Sequence, residues 1–143
     1  KAMSHVDEAF FTSVGCMDGR VQDPIEHFGQ KLFVAEYPDT ITEAGLVGLL
    51  GKESVDELLL QSIKKKILTS LGKHHSKGII VHGHQECAGN PVDDSQHKKD
   101  VLKTAKTIRT LVQKDIQIIP VFVKRDPSTS SGLKHEGWIV EKL

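Results

Sequence analysis

The sequence predicts an α/β fold, with an open, mainly parallel sheet of four to five strands flanked by helices. Short apolar runs alternate along the chain with longer segments of helical periodicity. The short runs are nearly continuous, as in strands that helices cover on both faces. With 143 residues, the chain has the size of one ordinary domain. We therefore expect residues 1–143 to form a single domain around one core.

Four strands are predicted from apolar runs bounded by glycine or charged residues. Pro120 falls within the last run and has no N–H for the sheet, so that strand should lie at an edge or contain a bulge. A turn-rich loop follows, and residues 133–141 after it offer a fifth strand at the edge. The four runs are residues 10–14, 32–35, 78–82 and 116–123.

Two long helices are predicted from their apolar spacing. The first starts at a capping box, with Ser54 as the N-cap and Glu57 three residues later, and Gly72 stops it. Apolar residues recur between them at helical spacing. The second helix carries an apolar stripe from Val101 to Val112, with lysines on the opposite face. Two shorter helices are expected at residues 24–28 and 42–50.

Charge and hydropathy exclude several classes of partner. The chain has 19 basic and 19 acidic residues, so no net positive field attracts phosphates, and nucleic acid is not an expected partner. No apolar run approaches the ~20 residues that cross a bilayer, and the first residues lack the apolar centre of a signal peptide. We therefore expect a soluble, cytoplasmic protein that does not bind membranes.

Both cysteines lie in short motifs that directly follow predicted strands. Cys16 begins the motif Cys-Met-Asp-Gly-Arg after the first strand, and Cys87 ends the motif His-Gln-Glu-Cys after the third. Ligands of open α/β sheets bind beyond the carboxyl ends of the strands, so both motifs fall on the expected edge. Two cysteines also allow a disulfide or two unrelated buried thiols. In a reducing compartment, however, thiol pairs more often serve metals or catalysis.

The residue types in these motifs indicate a zinc site. Zinc prefers thiolate and imidazole ligands in a tetrahedral set, and Cys16, His84 and Cys87 supply three of them. His82 is the competing histidine. We expect His82 to face the opposite side of the strand, which leaves His84 as the ligand.

The fourth zinc position is open to two occupants. Asp18 can bind there and close the site. Alternatively, Arg20 holds the Asp18 carboxylate in a bidentate pair and a water molecule takes the position, where the metal lowers its pKa. Two rival cysteine chemistries fit less well. A phosphate-cradling loop needs a longer Cys-to-Arg spacing, and an acyl-transfer triad built on Cys87 leaves the Cys16 motif unexplained.

The two motifs resemble those of the β-class carbonic anhydrases, Cys-x-Asp-(Ser/Ala)-Arg and His-x-x-Cys. On this resemblance the chain is identified as a short, divergent member, and residues 133–140 are similar to a late Leu-x-x-His-Gly-Trp strand. The resemblance implies reversible hydration of carbon dioxide to bicarbonate through zinc-bound hydroxide, by a homodimer or higher homo-oligomer. It also implies zinc ligands and a catalytic dyad, namely Cys16, His84 and Cys87 with Asp18 and Arg20.

Departures from the family pattern leave alternatives open. Gly19 stands where serine or alanine is usual, and Ala88 replaces the glycine after the second cysteine. Residues 36–40, Glu-Tyr-Pro-Asp-Thr, stand where the family continues Arg-Asn-Ala-Gly-Asn after its second strand. The alternatives are a non-catalytic zinc-binding module for regulation or assembly, and a hydrolase of a related small substrate such as carbonyl sulfide.

Overall fold

The computed structural model describes residues 8–129 and 137–143, so residues 133–136 of the predicted fifth strand lie outside the described residues. The described chain alternates strands and helices from its start. The elements are β1 (Phe10–Cys16), α1 (Gly19–Phe33), β2 (Tyr37–Glu43), α2 (Leu46–Leu50), α3 (Glu57–Lys73), β3 (Ile79–His84), α4 (Asp94–Arg109), β4 (Ile118–Arg125) and β5 (Trp138–Lys142).

The strands form one sheet in the order β2-β1-β3-β4-β5. The first four strands in this order are parallel, and β5 pairs antiparallel with β4. The predicted open, mainly parallel sheet is therefore confirmed. In this order β2 lies next to β1 toward one edge of the sheet, whereas β4 lies next to β3 toward the other edge. The strand order thus reverses between β1 and β3, the place where such sheets bind ligands.

Helices cover both faces of this sheet. On one face α1 packs through Ile25 against Phe11 of β1, and on the other α3 packs through Ile67 against Val14 and Val81. Fully burying a side chain of this size contributes roughly 1.5–3 kcal/mol. Every residue of β3 is buried, which is why its apolar run predicted a strand correctly. None of the helices in the described residues is long and apolar enough to span a membrane.

The second strand does not lie where the sequence predicted it. Leu32 and Phe33 end α1, whose C-cap Val34 has a left-handed backbone with φ of 51°. Ala35 lies in the connection that leads to the next strand. The strand β2 follows at Tyr37–Glu43, so residues 37–40 are not a loop and residues 42–43 are not helical. β2 is an edge strand in which only Ile41 is buried, so it lacks the apolar run of a central strand.

The long helices exist, but their predicted ends were wrong. Asp56 rather than Ser54 caps α3, because its Oδ1 accepts the N–H groups of Leu58 and Leu59 at 2.9 and 3.1 Å. Gly72 lies inside α3, which ends at Lys73. The helix α4 begins earlier than its apolar stripe, at Asp94, and ends at Arg109 before Val112. The short helix predicted at residues 24–28 is the middle of the longer α1.

Pro120 marks neither an edge strand nor a bulge. β4 lies between β3 and β5, and its pairing with β3 runs without interruption through Pro120. The pairing of β4 with β5 spans Val121 to Arg125, so Pro120 stands just outside it. The Leu143 N–H donates to the Pro120 carbonyl at 3.0 Å, at the end of β5. The sheet therefore tolerates the proline without distortion.

Candidate metal centre

The carboxyl ends of β1 and β3 bring the two cysteine motifs together. Cys16 is the last residue of β1, His84 is the last residue of β3, and Cys87 lies on the turn that follows. Their ligand atoms all lie within 4.8 Å of one another, and all three residues are buried. The two sulfur atoms are 3.7 Å apart. The structure thus assembles one imidazole and two thiols at the reversal point of the sheet.

The imidazole of His84 is oriented for a ligand. Its Nδ1 lies 2.6 Å from the carbonyl oxygen of Gln85, and a proton on Nδ1 completes this hydrogen bond. In that tautomer Nε2 carries a lone pair, and Nε2 is buried with no hydrogen-bond partner among the described residues. Burial lowers the pKa of His84, which favours the neutral ring that binds metals.

The two thiols also fit a cation. Burial, followed by the proximity of Cys16, raises the pKa of Cys87, because two thiolates side by side repel each other. A divalent cation removes this repulsion. The backbone N–H of Gly45 donates to the Cys16 sulfur at 3.4 Å, a contact that suits a thiolate. Two sulfurs and one imidazole nitrogen form a donor set that binds zinc in preference to harder cations. The residues present therefore fit Zn²⁺.

His82 is not part of this group, but the expected reason was wrong. Residues two apart in a strand share a face, so His82 and His84 lie on the same side of β3. The residue between them, Gly83, faces α4, where an added Cβ would meet His97. His82 is fully buried across Gly15, whose missing Cβ leaves room for the ring. Burial lowers the pKa of His82 to about 3, so the ring is neutral.

Asp18 and Arg20 stand beside the group. Asp18 caps α1, since its Oδ1 accepts the backbone N–H of Arg20 at 2.9 Å. The guanidinium also grips both carboxylate oxygens, with Nε 3.1 Å from Oδ1 and Nη2 2.7 Å from Oδ2. These hydrogen bonds lower the pKa of Asp18 to about 2 and raise that of Arg20. Asp18 Oδ2 is only 4.0 Å from Nε2 of His84, yet it is turned toward Arg20.

Sequence reasoning missed two charged residues here, Glu86 and Arg125. Arg20 Nη1 donates to Glu86 Oε1 at 3.0 Å, and Arg125 donates to the same carboxylate. One signal was available, because Glu86 lies inside the His-x-x-Cys motif. Arg125 ends β4, the strand beside β3, but the strand order was not known from the sequence. Trp138 of β5 packs in the core on the α1 face.

The loop after β2 was missed because that strand was misplaced. Gly45 adopts a left-handed backbone with φ of 62°, which favours glycine. An added Cβ at Gly45 would lie 2.3 Å from the carbonyl oxygen of Gly89, and one at Gly89 would lie 2.6 Å from the nitrogen of Gly45. The two loops therefore pack backbone against backbone, and this contact fixes the Gly45 N–H on the Cys16 sulfur.

A comparison with protein families identifies the chain. A family model described as "Putative carbonic anhydrase" matches residues 6–131. The chain belongs to this carbonic anhydrase family. The predicted resemblance to carbonic anhydrases and the predicted fold are thereby confirmed. A search of curated proteins found no match.

The structure also changes how two departures are interpreted. With β2 at Tyr37–Glu43, the segment at the end of the second strand and just after it is residues 42–46, Thr-Glu-Ala-Gly-Leu, rather than residues 36–40. Ala44 and Gly45 then agree with the pattern Arg-Asn-Ala-Gly-Asn, so assigning the divergence to residues 36–40 was wrong. At Gly19 an added Cβ would meet nothing within 4 Å, so the serine or alanine that is usual there would fit.

Proposed function

We propose that the chain is a zinc-dependent lyase that reversibly hydrates carbon dioxide to bicarbonate. Cys16, His84 and Cys87 hold the zinc, and Asp18 with Arg20 forms the catalytic dyad. One observation carries the proposal. A buried imidazole nitrogen without a hydrogen-bond partner in the described residues faces two thiols, while the carboxylate 4.0 Å away is held by an arginine.

The charges of the ligands explain why the fourth position is left to a small molecule. Two thiolates and a neutral imidazole already cancel the two positive charges of zinc. Adding the Asp18 carboxylate would make the site anionic and would also break the Asp18–Arg20 pair. Pairing with Arg20 therefore opposes binding of Asp18 to the metal.

Asp18 and Arg20 can orient the attacking water once the fourth position is free. Zinc, when bound, supplies a Lewis acid that makes water nucleophilic near neutral pH. Asp18 stays ionised because Arg20 lowers its pKa to about 2, so its carboxylate accepts a hydrogen bond and never donates one. A fixed acceptor of this kind orients the attacking water toward carbon dioxide.

Asp18→Asn tests this role. We expect the variant to keep stoichiometric zinc and to lose on the order of 10²-fold in kcat, since the amide is neutral and Arg20 no longer fixes it. Metal analysis and stopped-flow hydration of carbon dioxide from mildly acidic to alkaline pH give the two readouts. Asp115→Asn, at an exposed aspartate between α4 and β4, is the matched control and should change neither.

Three outcomes would contradict parts of the proposal. An unchanged rate in Asp18→Asn would remove the dyad role. Bound zinc with no hydration above buffer at any pH would favour carbonyl sulfide as substrate or the non-catalytic module. Substoichiometric zinc that Cys87→Ser does not reduce further would remove the metal site itself. Support for the module is already weaker, because residues 37–40 belong to β2 instead of a divergent loop.

The assembly and location of the protein complete the proposal. Membership of a carbonic anhydrase family supports a homodimer or higher homo-oligomer, as the resemblance implied. Light scattering coupled to size exclusion tests this, and a monomer at all concentrations would contradict it. We also propose a cytoplasmic location, where two buried thiols stay reduced and free to bind a metal.

A further inference from the structure

Glu86 occupies a backbone conformation that a glutamate rarely adopts. It lies between His84 and Cys87, and its φ of 58° is in the left-handed region. That region is unfavourable for a non-glycine residue, and such strain persists only where the surrounding structure overdetermines it. Glycine would relieve the strain but would carry no carboxylate. The contacts of the Glu86 side chain therefore deserve a functional explanation.

Those contacts join two arginines. Arg20 Nη1 and Arg125 Nη2 each donate to Glu86 Oε1 at 3.0 Å, and Arg125 Nε donates to Oε2 at 3.1 Å. Arg20 Nη2 also donates to the Glu86 backbone carbonyl at 3.0 Å. With Asp18 at the other side of Arg20, four charges of alternating sign form one row. Each inner charge has an opposite charge on both sides.

Arg125 is anchored to the sheet at the far end of this row. It is the last residue of β4, and its backbone N–H donates to Gln85 Oε1 at 2.8 Å. Its guanidinium lies 4.1 Å from the centre of the Trp138 ring, and this cation–π contact further fixes the Arg125 side chain. Trp138 is itself 8% exposed. The strands β4 and β5 thus fix the position of Glu86 through Arg125.

The row decides how firmly Arg20 holds Asp18. The Arg20 side chain is 43% exposed, and an isolated exposed ion pair contributes little. The Glu86 carboxylate accepts from Nη1, the guanidinium nitrogen that Asp18 leaves free, and the Glu86 carbonyl accepts from Nη2, which also donates to Asp18. These contacts oppose rotation of Arg20 into solvent. We propose that Glu86 and Arg125 are positioning residues that keep Arg20 on Asp18, and so keep the Asp18 carboxylate off the metal. This inference rests on the proposed metal site.

Cobalt substitution tests the inference without measuring activity. Co²⁺ bound by two thiolates absorbs visible light, and azide added to an open site changes that spectrum. We expect azide to bind the wild-type cobalt protein. In Glu86→Gln, which keeps the shape but loses the charge, the apparent azide affinity should fall roughly 10- to 100-fold, because Asp18 now competes for the position. Arg125→Met should act in the same direction, and Arg125→Lys should lie between it and wild type.

A second variant separates positioning from structural damage. Combining Glu86→Gln with Asp18→Asn should restore azide affinity, since an amide does not compete for the metal as a carboxylate does. A distorted metal site would not recover. Glu57→Gln, in the first turn of α3, is the matched control and should bind azide as the wild type does.

The outcomes distinguish this inference from the proposed function. Cobalt that binds without thiolate absorption would overturn the metal site and with it the proposed function. A cobalt-loaded wild type that ignores azide would overturn the open fourth position, on which both the proposed function and the inference depend. Unchanged azide affinity in both Glu86→Gln and Arg125→Met would overturn only the inference, as would a double variant that stays as weak as Glu86→Gln.

Discussion

The two ends of the sheet both contain buried polar side chains, but only one end satisfies them. At the amino end, Thr12 Oγ1 lies 2.7 Å from the hydroxyls of both Ser70 and Ser76. Asp39 Oδ2 accepts the Ser70 hydroxyl at 2.7 Å and lies 2.7 Å from His74 Nδ1. Each of these three hydroxyls has a protein partner. We call these five residues the amino-end network.

At the carboxyl end, the sheet finishes in groups that are only partly satisfied. Nε2 of His84 has no hydrogen-bond partner among the described residues, and the sulfurs of Cys16 and Cys87 contact each other. A polar network that satisfies itself stabilises the fold, whereas a cluster of ligand atoms with unused hydrogen-bonding capacity can bind a cation. Lack of partners alone does not make a site, since both ring nitrogens of His82 also have none among the described residues. At the carboxyl end it coincides with three ligand atoms that lie within 4.8 Å of one another.

Removing the metal should give the largest effect, and only at the carboxyl end. Chelation of zinc under reducing conditions should lower the free energy of unfolding by about 4 kcal/mol or more, because only the folded chain brings the three ligands together. Urea titrations of the zinc-loaded and chelated protein measure this difference. Cys87→Ser should reproduce the chelated value without chelator. Equal unfolding midpoints with and without zinc would show that the carboxyl end does not need a metal, and the contrast between the two ends would fail.

Thr12→Val should give an intermediate effect on stability and none on the metal. The valine keeps the volume but leaves Ser70 and Ser76 without a shared hydroxyl, which costs about 1–3 kcal/mol. Chemical unfolding and zinc analysis of the same preparation give both readouts, and Thr107→Val, on the exposed side of α4, is the control. A loss of zinc in Thr12→Val would show that the two ends are coupled, and the contrast between them would fail.

Glu141→Gln should have the smallest effect, because it removes a partly exposed ion pair that belongs to neither end of the sheet. Lys98 and Lys124 lie 3.0 and 3.4 Å from its carboxylate, and the Lys98 hydrogen bond lowers the pKa of Glu141. The pair should contribute less than about 1 kcal/mol. Because the folded pKa is the lower one, this contribution is present at neutral pH and is lost as the pH falls through it.

At neutral pH the free energy of unfolding should therefore be slightly higher for wild type than for Glu141→Gln, and the difference should disappear at acidic pH. High salt should also reduce it at neutral pH. If the stability difference persists in acid, the Glu141 carboxylate is not its cause. The exposed ion pair could then not serve as a reference for the clusters at the two ends of the sheet.

Burial explains which parts of the fold were predictable. β1 and β3 lie inside the sheet under helices on both faces, so almost every residue is buried and each strand contains a short apolar run that predicts it. β2 lies at the edge with only one buried side chain, while the apolar residues 32–35 form the last residues of α1, its C-cap and the start of the connection to β2. The sequence signal was therefore strongest where packing is densest, and it misplaced the edge.

The candidate site divides in the same way. Cys16 and His84 end buried strands, so their placement follows from local pattern and from the rule that parallel strands end at one edge. The row from Asp18 to Arg125 draws on the ends of β1, β3 and β4, with Trp138 of β5 beneath it. Its assembly depends on the order of strands in the sheet, which no local sequence pattern encodes.

Gly15 and His82 occupy one volume between neighbouring strands, since an added Cβ at Gly15 would lie 2.3 Å from the His82 ring. In evolutionary terms, neither position is free to drift alone. A side chain gained at position 15 is tolerated only after position 82 has become small, whereas glycine at 15 permits a large residue at 82. The size of the residue two positions before the proposed ligand His84 therefore depends on a glycine in the neighbouring strand.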